Sequence, residues 1–149
     1  MNSIIEIDNL KKIYSNGKHA LNGINVNIEK GKFFGLLGPN GAGKTTTIGI
    51  LTGLVNLTSG KIKVNGLDII KDYKKTRKMI GLSPQEINLD VFFTIRELLI
   101  FQGGYYGLSI SESKKRVDKI LFDLGLEEKA YSKARELSGG MKRRVQIAK

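Results

Sequence analysis

Apolar residues recur in two rhythms along this chain, and the change of rhythm divides it. Ile4 to Leu10 and Ile24-Asn25-Val26-Asn27-Ile28 carry strand-like apolar spacing around a turn that contains Gly17, which predicts an antiparallel pair. Phe33-Phe34-Gly35-Leu36-Leu37 has no polar residue, the pattern of a short strand buried on both faces, as parallel strands in α/β domains are. Ile48, Leu51 and Val55 then recur at helical spacing. Ile62 and Val64 alternate up to Asn65-Gly66, a dipeptide suited to a hairpin turn.

Beyond residue 90 the rhythm is helical. Thr94-Ile95-Arg96-Glu97 and Ser109-Ile110-Ser111-Glu112 both fit the S/T-x-x-E capping box, so a helix is expected to start at each. In the second, Val117, Ile120, Leu121 and Leu124 share one face and Gly125 supplies a left-handed stop. The most lipid-like stretch, Val91 to Leu108, is interrupted by Arg96 and Glu97 and falls short of the roughly 18 uncharged apolar residues needed to span a bilayer. The first residues, Met1 to Lys12, hold Glu6 and Asp8 and no long apolar core, so they do not read as a secretory signal.

Between the apolar run 33–37 and the helical run from Ile48 lies Gly38-Pro39-Asn40-Gly41-Ala42-Gly43-Lys44-Thr45, a match to G-x-x-x-x-G-K-[ST]. Small residues there let successive N–H groups turn inward as a nest for phosphate oxygens, and the helix N-terminus that follows faces the anion. Lys44 supplies a point charge for the β- and γ-phosphates, and the Thr45 hydroxyl is a ligand for magnesium. Thr46 assists at the α- and β-phosphates. A Gly-rich turn that merely joins strand to helix is the plainer alternative, and the flanking elements argue against it.

A second segment, Leu137-Ser138-Gly139-Gly140-Met141-Lys142-Arg143-Arg144, closely resembles the signature motif of ATP-binding cassette (ABC) ATPases. Tyr14, ahead of the phosphate loop, and Gln85, between the two motifs, also stand where that family has functional residues. The resemblance covers essentially all 149 residues. It implies an α/β fold: an incomplete P-loop ATPase core with an antiparallel β subdomain and a helical insertion subdomain. The expected parts are residues 1–32 and 60–70 for the antiparallel subdomain, 33–59 and 79–85 for the core, and 86–149 for the helical subdomain and signature helix.

The family's residue roles carry over position by position. Tyr14 would stack on adenine, and Lys44 and Gln85 would act at the reacting phosphate, with Thr45 and Gln85 reaching the magnesium ion. Ser138, Gly139 and Gly140 would contact ATP held by the loop of a second ABC protomer, identical or not. The insertion would dock on an integral membrane transporter subunit, which places the protein on the cytoplasmic face of the membrane. The Met-Lys-Arg-Arg continuation is similar to drug-resistance-type exporters, although Met141 stands where the family more often has glutamine. Arg143 and Arg144 are expected near the dimer face.

The resemblance stops before the family's Walker B strand, D-loop and switch histidine, so the implied ATP-binding subunit of an exporter is represented by its N-terminal portion. Hydrolysis needs a carboxylate that orients magnesium and a residue that positions water. Asp68, Asp72 and Asp90 are isolated acids and read as surface charges, and His19 precedes the loop and reads as an exposed loop residue. The chain alone is therefore expected to bind ATP with magnesium without efficient hydrolysis. Its apolar run 33–37 is expected to lie on an unpaired edge, which predicts marginal stability or aggregation.

Composition adds one competing thought. With no cysteine and one histidine there is no soft or imidazole ligand set, so a metal would be an oxygen-liganded ion held largely by phosphate. The net charge of +11 suggests a soluble ABC-type module acting on nucleic acid or ribosomes. The basic groups are spread along the chain without interleaved aromatic platforms, which weighs against nucleic acid as the partner. Only residues 86 to 136 separate Gln85 from the signature motif, too few for the coiled coils of chromosome-structure ATPases.

Overall fold

The computed structural model describes residues 3–149; Met1 and Asn2, the first residues of the expected antiparallel subdomain, lie outside them. Strands β1 (Ser3–Ile13), β2 (His19–Glu29), β3 (Ser59–Val64) and β4 (Leu67–Asp68) form one sheet in the order β2-β1-β3-β4, each neighbour antiparallel. The described residues also form five α-helices, α1 (Lys44–Leu51), α2 (Tyr73–Arg77), α3 (Ile95–Tyr105), α4 (Ile110–Asp123) and α5 (Gly139–Ala148), and two short 3₁₀ turns, Glu127–Lys129 and Ala134–Glu136. The chain divides after Leu82 into two compact bodies, each with its own core.

In the first body the expected strand pair forms and is longer than the apolar spacing alone indicates. Gly17, at φ +78, closes the turn between β1 and β2. His19 is exposed as expected but opens β2 instead of lying in the loop, because its backbone pairs with Ile13. Asn9, at φ +45, sits where the pairing of β1 with both neighbours shifts register, the mark of a bulge. The β3–β4 turn has Asn65 at φ +49 and Gly66 at φ +77, the two positive angles of a type I′ hairpin. Ile7, Leu10, Leu21 and Ile62 from the sheet close over Ile50 of α1. Each such side chain gains roughly 1.5–3 kcal/mol on burial.

Two expectations fail in this body. Residues 33–37 form no strand, although the near-complete exposure of Phe33 and Leu37 agrees with the expectation that this run lacks neighbours. A strand exists only through its neighbour's hydrogen bonds, and no described segment pairs with this one. The helix expected through Val55 stops at Leu51, where Gly53 at φ +77 turns the chain. Val55 then folds back onto Gly49, whose lack of a side chain makes room for it.

The second body is built on Ile95, Leu98, Leu99, Val117, Leu121, Leu126, Leu137 and Val145. Thr94 and Glu97 make the reciprocal capping box at α3, and the N–H and hydroxyl of Thr94 hold the Glu97 carboxyl below the usual carboxylate range. At α4 only half the box forms: Ser109 accepts from the Glu112 N–H, while the Glu112 carboxylate accepts from Arg116 at 2.7 Å. Gly125, at φ +59, ends that helix as expected. Gly103 of α3 lies so near Ser113 of α4 that an added Cβ would sit 2.5 Å from the Ser113 hydroxyl.

Candidate functional site

The segment 38–43 is exposed apart from Gly43, and it leads directly into α1. Gly43 is the N-cap residue at φ +86, ψ +3, with no side chain capping the helix. A Cβ there would fall 2.5 Å from Leu21 Cδ2 and 2.7 Å from the Ala20 carbonyl, so the loop lies tight against β2 where only glycine fits. Gly38 and Gly41 also have positive φ, which bends the loop back on itself. The first-turn N–H groups of α1, those of Lys44, Thr45 and Thr46, have no acceptor within the helix and so give the loop an anion-facing set of donors.

Lys44 bends over this loop. Its ammonium donates to the carbonyls of Gly38 at 2.6 Å and Pro39 at 2.7 Å, so the cation lies on the loop itself. Thr45 is exposed, whereas Thr46 is half-buried, its hydroxyl 3.4 Å from the Tyr14 hydroxyl. Tyr14 is thereby brought to the side of α1, with its ring partly open and the Lys12 ammonium 4.9 Å from the ring centroid. The buried Thr47 donates its hydroxyl to the Gly43 carbonyl at 3.0 Å and pins the end of the loop to the helix. Sequence reading missed Lys12 and Thr47; the run Thr45-Thr46-Thr47 held the signal for the second, since a threonine donating back to residue i−4 is a helix-start habit.

In the second body, Leu137 is buried in the core and Ser138, Gly139 and Gly140 are exposed at the start of α5. The Ser138 hydroxyl accepts the Met141 N–H at 3.2 Å. Arg143 and Arg144 spend donors on nearby backbone carbonyls. Arg143 donates to the carbonyls of Pro84 at 2.6 Å and Gln85 at 3.1 Å, and Arg144 to those of Leu124 at 2.6 Å and Gly125 at 3.3 Å. Carbonyls at the end of α4 have no partner within the helix, and in each arginine the single nitrogen Nη1 reaches two carbonyls at once. The signature segment and the Gln85 backbone are thus joined through Arg143, while the Gln85 residue stays exposed.

Carboxylates play smaller parts. Asp68 accepts the N–H groups of Lys71 and Ile70, which hold its carboxyl below the usual range, and Asp90 accepts that of Phe92. Among the described residues no three His, Cys, Asp or Glu side chains converge as a metal site. The Thr45 hydroxyl in the first body and the Gln85 amide oxygen in the second are hard oxygens of the kind magnesium accepts.

The family model described as ABC transporter matches residues 21–149. The linearmycin resistance ATP-binding protein LnrL of Bacillus subtilis is 46% identical over 144 residues, covering 97% of this chain and 46% of that protein. The Nod factor export ATP-binding protein I of Paraburkholderia xenovorans is 42% identical over 145 residues, covering 97% of this chain and 47% of that protein. Among solved structures, cbiO1 from Clostridium perfringens, described as part of the ABC transporter complex cbiONQ, superposes with a TM-score of 0.84 at 33% identity, covering 99% of this chain and 61% of that one. The chain spans about half the length of the curated relatives it matches.

Proposed function

The chain belongs to the ABC transporter family, and from that premise we propose that it is the phosphate-loop and signature portion of an ATP-binding subunit that drives substrate export through an integral membrane partner. The observation that carries this reading is the loop 38–43 opening α1 without a side-chain cap, with the Lys44 ammonium already lying on it. The names of the two relatives, a resistance ATP-binding protein and an export ATP-binding protein, support export over uptake. No helix among the described residues is long and apolar enough to cross a membrane, which agrees with a role beside a membrane subunit on its cytoplasmic face.

The chemistry follows from the residues. Triphosphate oxygens would accept the free N–H groups at the start of α1, and Lys44 would exchange two neutral carbonyls for an anion, a stronger acceptor. The Tyr14 ring would lend its face to adenine, with its hydroxyl steadied by Thr46. Thr45 and Gln85 would hold magnesium, which when bound spreads the negative charge of the phosphates. Ser138, Gly139 and Gly140 would offer the start of α5 to ATP on a second protomer. The Asp68 and Asp90 oxygens hold turns in place, which supports the further reading that the 149-residue chain binds ATP without efficient hydrolysis.

The test is calorimetric titration of the chain with ATP and magnesium. Lys44→Ala is expected to weaken binding by about tenfold or more, as loss of a charge-assisted hydrogen bond does. Equal affinity in the wild type and Lys44→Ala would overturn the reading. The charge of +11 favours a second reading, a soluble module on RNA or DNA, for which salt-sensitive RNA binding by the chain is the deciding observation.

A further inference from the structure

The first body has a cleft of about 300 Å³ that the nucleotide reading does not use, at the end of α1 away from the phosphate loop. Ile50 and Leu51 form part of its lining, and they lie in the last turn of a helix whose first residue is Lys44. At 1.5 Å per residue the two ends are roughly 10 Å apart, so the cleft and the loop are separate places. Val55 and Leu57 continue the apolar wall. Ile70 and Tyr73, both well exposed, stand at its mouth.

Two cations meet the Tyr73 ring at the rim: the Lys74 ammonium lies 6.0 Å from its centroid, and Arg77 is the one that lines the cleft. The Arg77 guanidinium stacks 5.4 Å from the centroid of the Tyr73 ring and donates to the Gly53 carbonyl at 3.4 Å. That seat exists because Gly53 has no side chain: a Cβ there would lie 2.7 Å from Arg77 Nη2. Stacking and one long hydrogen bond leave the other guanidinium donors without protein acceptors. Lys71, Lys74, Lys75 and Lys78 lie near it in the sequence, as do the acids Asp68 and Asp72. Asp68 is already committed to the Ile70 and Lys71 N–H groups. Thr76 is fully buried and its hydroxyl bonds back to the Asp72 and Tyr73 carbonyls, so the segment that carries Arg77 is anchored.

A cleft with one apolar wall, with Asn56 and Thr76 also in its lining and a pre-positioned guanidinium at its edge, has the composition of a small-ligand site, at the lower end of the usual size of about 300–1,000 Å³. We propose that this cleft binds a soluble amphiphilic anion, a short aliphatic body carrying one carboxylate, with the chain against Ile50 and Leu51 and the head on Arg77. Charge complementarity selects the anion and the apolar wall selects the tail. A guanidinium accepts a carboxylate bidentately, which a lysine at the same place would not do.

The test is titration of the ¹⁵N-labelled 149-residue chain, without nucleotide, with sodium octanoate, followed by amide NMR. Saturable shifts are expected at Gly53, Ile70, Tyr73 and Arg77. On the unmodified protein, 1-octanol and sodium acetate are each expected to bind at least tenfold more weakly, since one lacks the charge and the other the tail. Arg77→Gln is expected to weaken octanoate by about tenfold or more, and Ile70→Trp, at an exposed position, to block the mouth. No saturable shift at these amides, or 1-octanol equal to octanoate on the wild type, would overturn the proposal. Because ATP is absent throughout and Lys44 is untouched, failure here leaves the nucleotide reading standing, and the reverse holds too.

Discussion

Two exposed helix starts in this chain carry glycine-rich sequence, and they are finished in opposite ways. At α1 the N-cap is Gly43 in a left-handed conformation with no capping side chain, and the exposed segment before it, 32–39, has no strand partner. At α5 the N-cap is Ser138, its hydroxyl already holding the Met141 N–H, and the preceding Leu137 is buried. The first start keeps its donors free and stores a cation nearby on weak acceptors; the second closes one donor and is braced from behind by two arginines. Anion affinity and scaffold rigidity are therefore separate properties of a helix N-terminus, built from different residues. A loop that must wrap phosphate keeps its backbone groups available, and a platform that must present a fixed surface spends side chains on staying still.

The largest effect is expected at the loop. Gly43→Ala puts a Cβ into Leu21 and the Ala20 carbonyl and forces an L-residue to φ +86. Left-handed strain and overpacking together cost about 2–4 kcal/mol. Urea unfolding followed by circular dichroism checks this. An unchanged midpoint would mean that the loop is not held against β2, and the contrast with α5 would lose its first term.

Next is the brace. Arg144→Met removes the donor to Leu124 and Gly125 and leaves partly buried carbonyls at the end of α4 unmet, with an expected loss of about 1.5–3 kcal/mol in the same measurement. A surface arginine would show less than about 0.5 kcal/mol on such a change. Ser138→Ala should follow at about 1 kcal/mol, the usual worth of a serine cap, with faster amide exchange at Met141 as the local readout. If Ser138→Ala exceeds Arg144→Met, then the cap rather than the arginines holds α5.

What the sequence made legible was whatever a few adjacent residues decide. Asn65-Gly66 and the Thr94-x-x-Glu97 box act through backbone angles and hydrogen bonds within four residues, so their patterns could be read directly. The position of the phosphate loop between an apolar run and a helix was local in the same way. Glu112 shows the limit: its capping role was readable, but Arg116 one turn on competes for the same carboxylate and takes it. The carbonyls that Arg143 and Arg144 reach could not be read, because a residue type says nothing of which carbonyl will be in reach 20 or 58 positions away. The cleft beside Arg77 was invisible for the same reason, as Gly53 and Arg77 meet only in three dimensions.

The smallest expected effect on stability is the sharpest test of the open start. Phe33-Phe34-Gly35-Leu36-Leu37 has the composition of a buried strand, yet Phe33 and Leu37 touch almost nothing and the backbone has no ladder. If that is the state in solution, Phe33→Ser removes no packing, and the unfolding free energy from urea titration should change by less than about 0.5 kcal/mol. The same change should raise the soluble fraction on concentration, since an apolar segment with unpaired N–H and C=O groups is a template for intermolecular pairing. An unfolding free energy that falls by more than about 1 kcal/mol would show Phe33 packed within the folded chain. The loop would then rest on a supported strand, as α5 rests on its arginines, and the difference between the two helix starts would reduce to their caps.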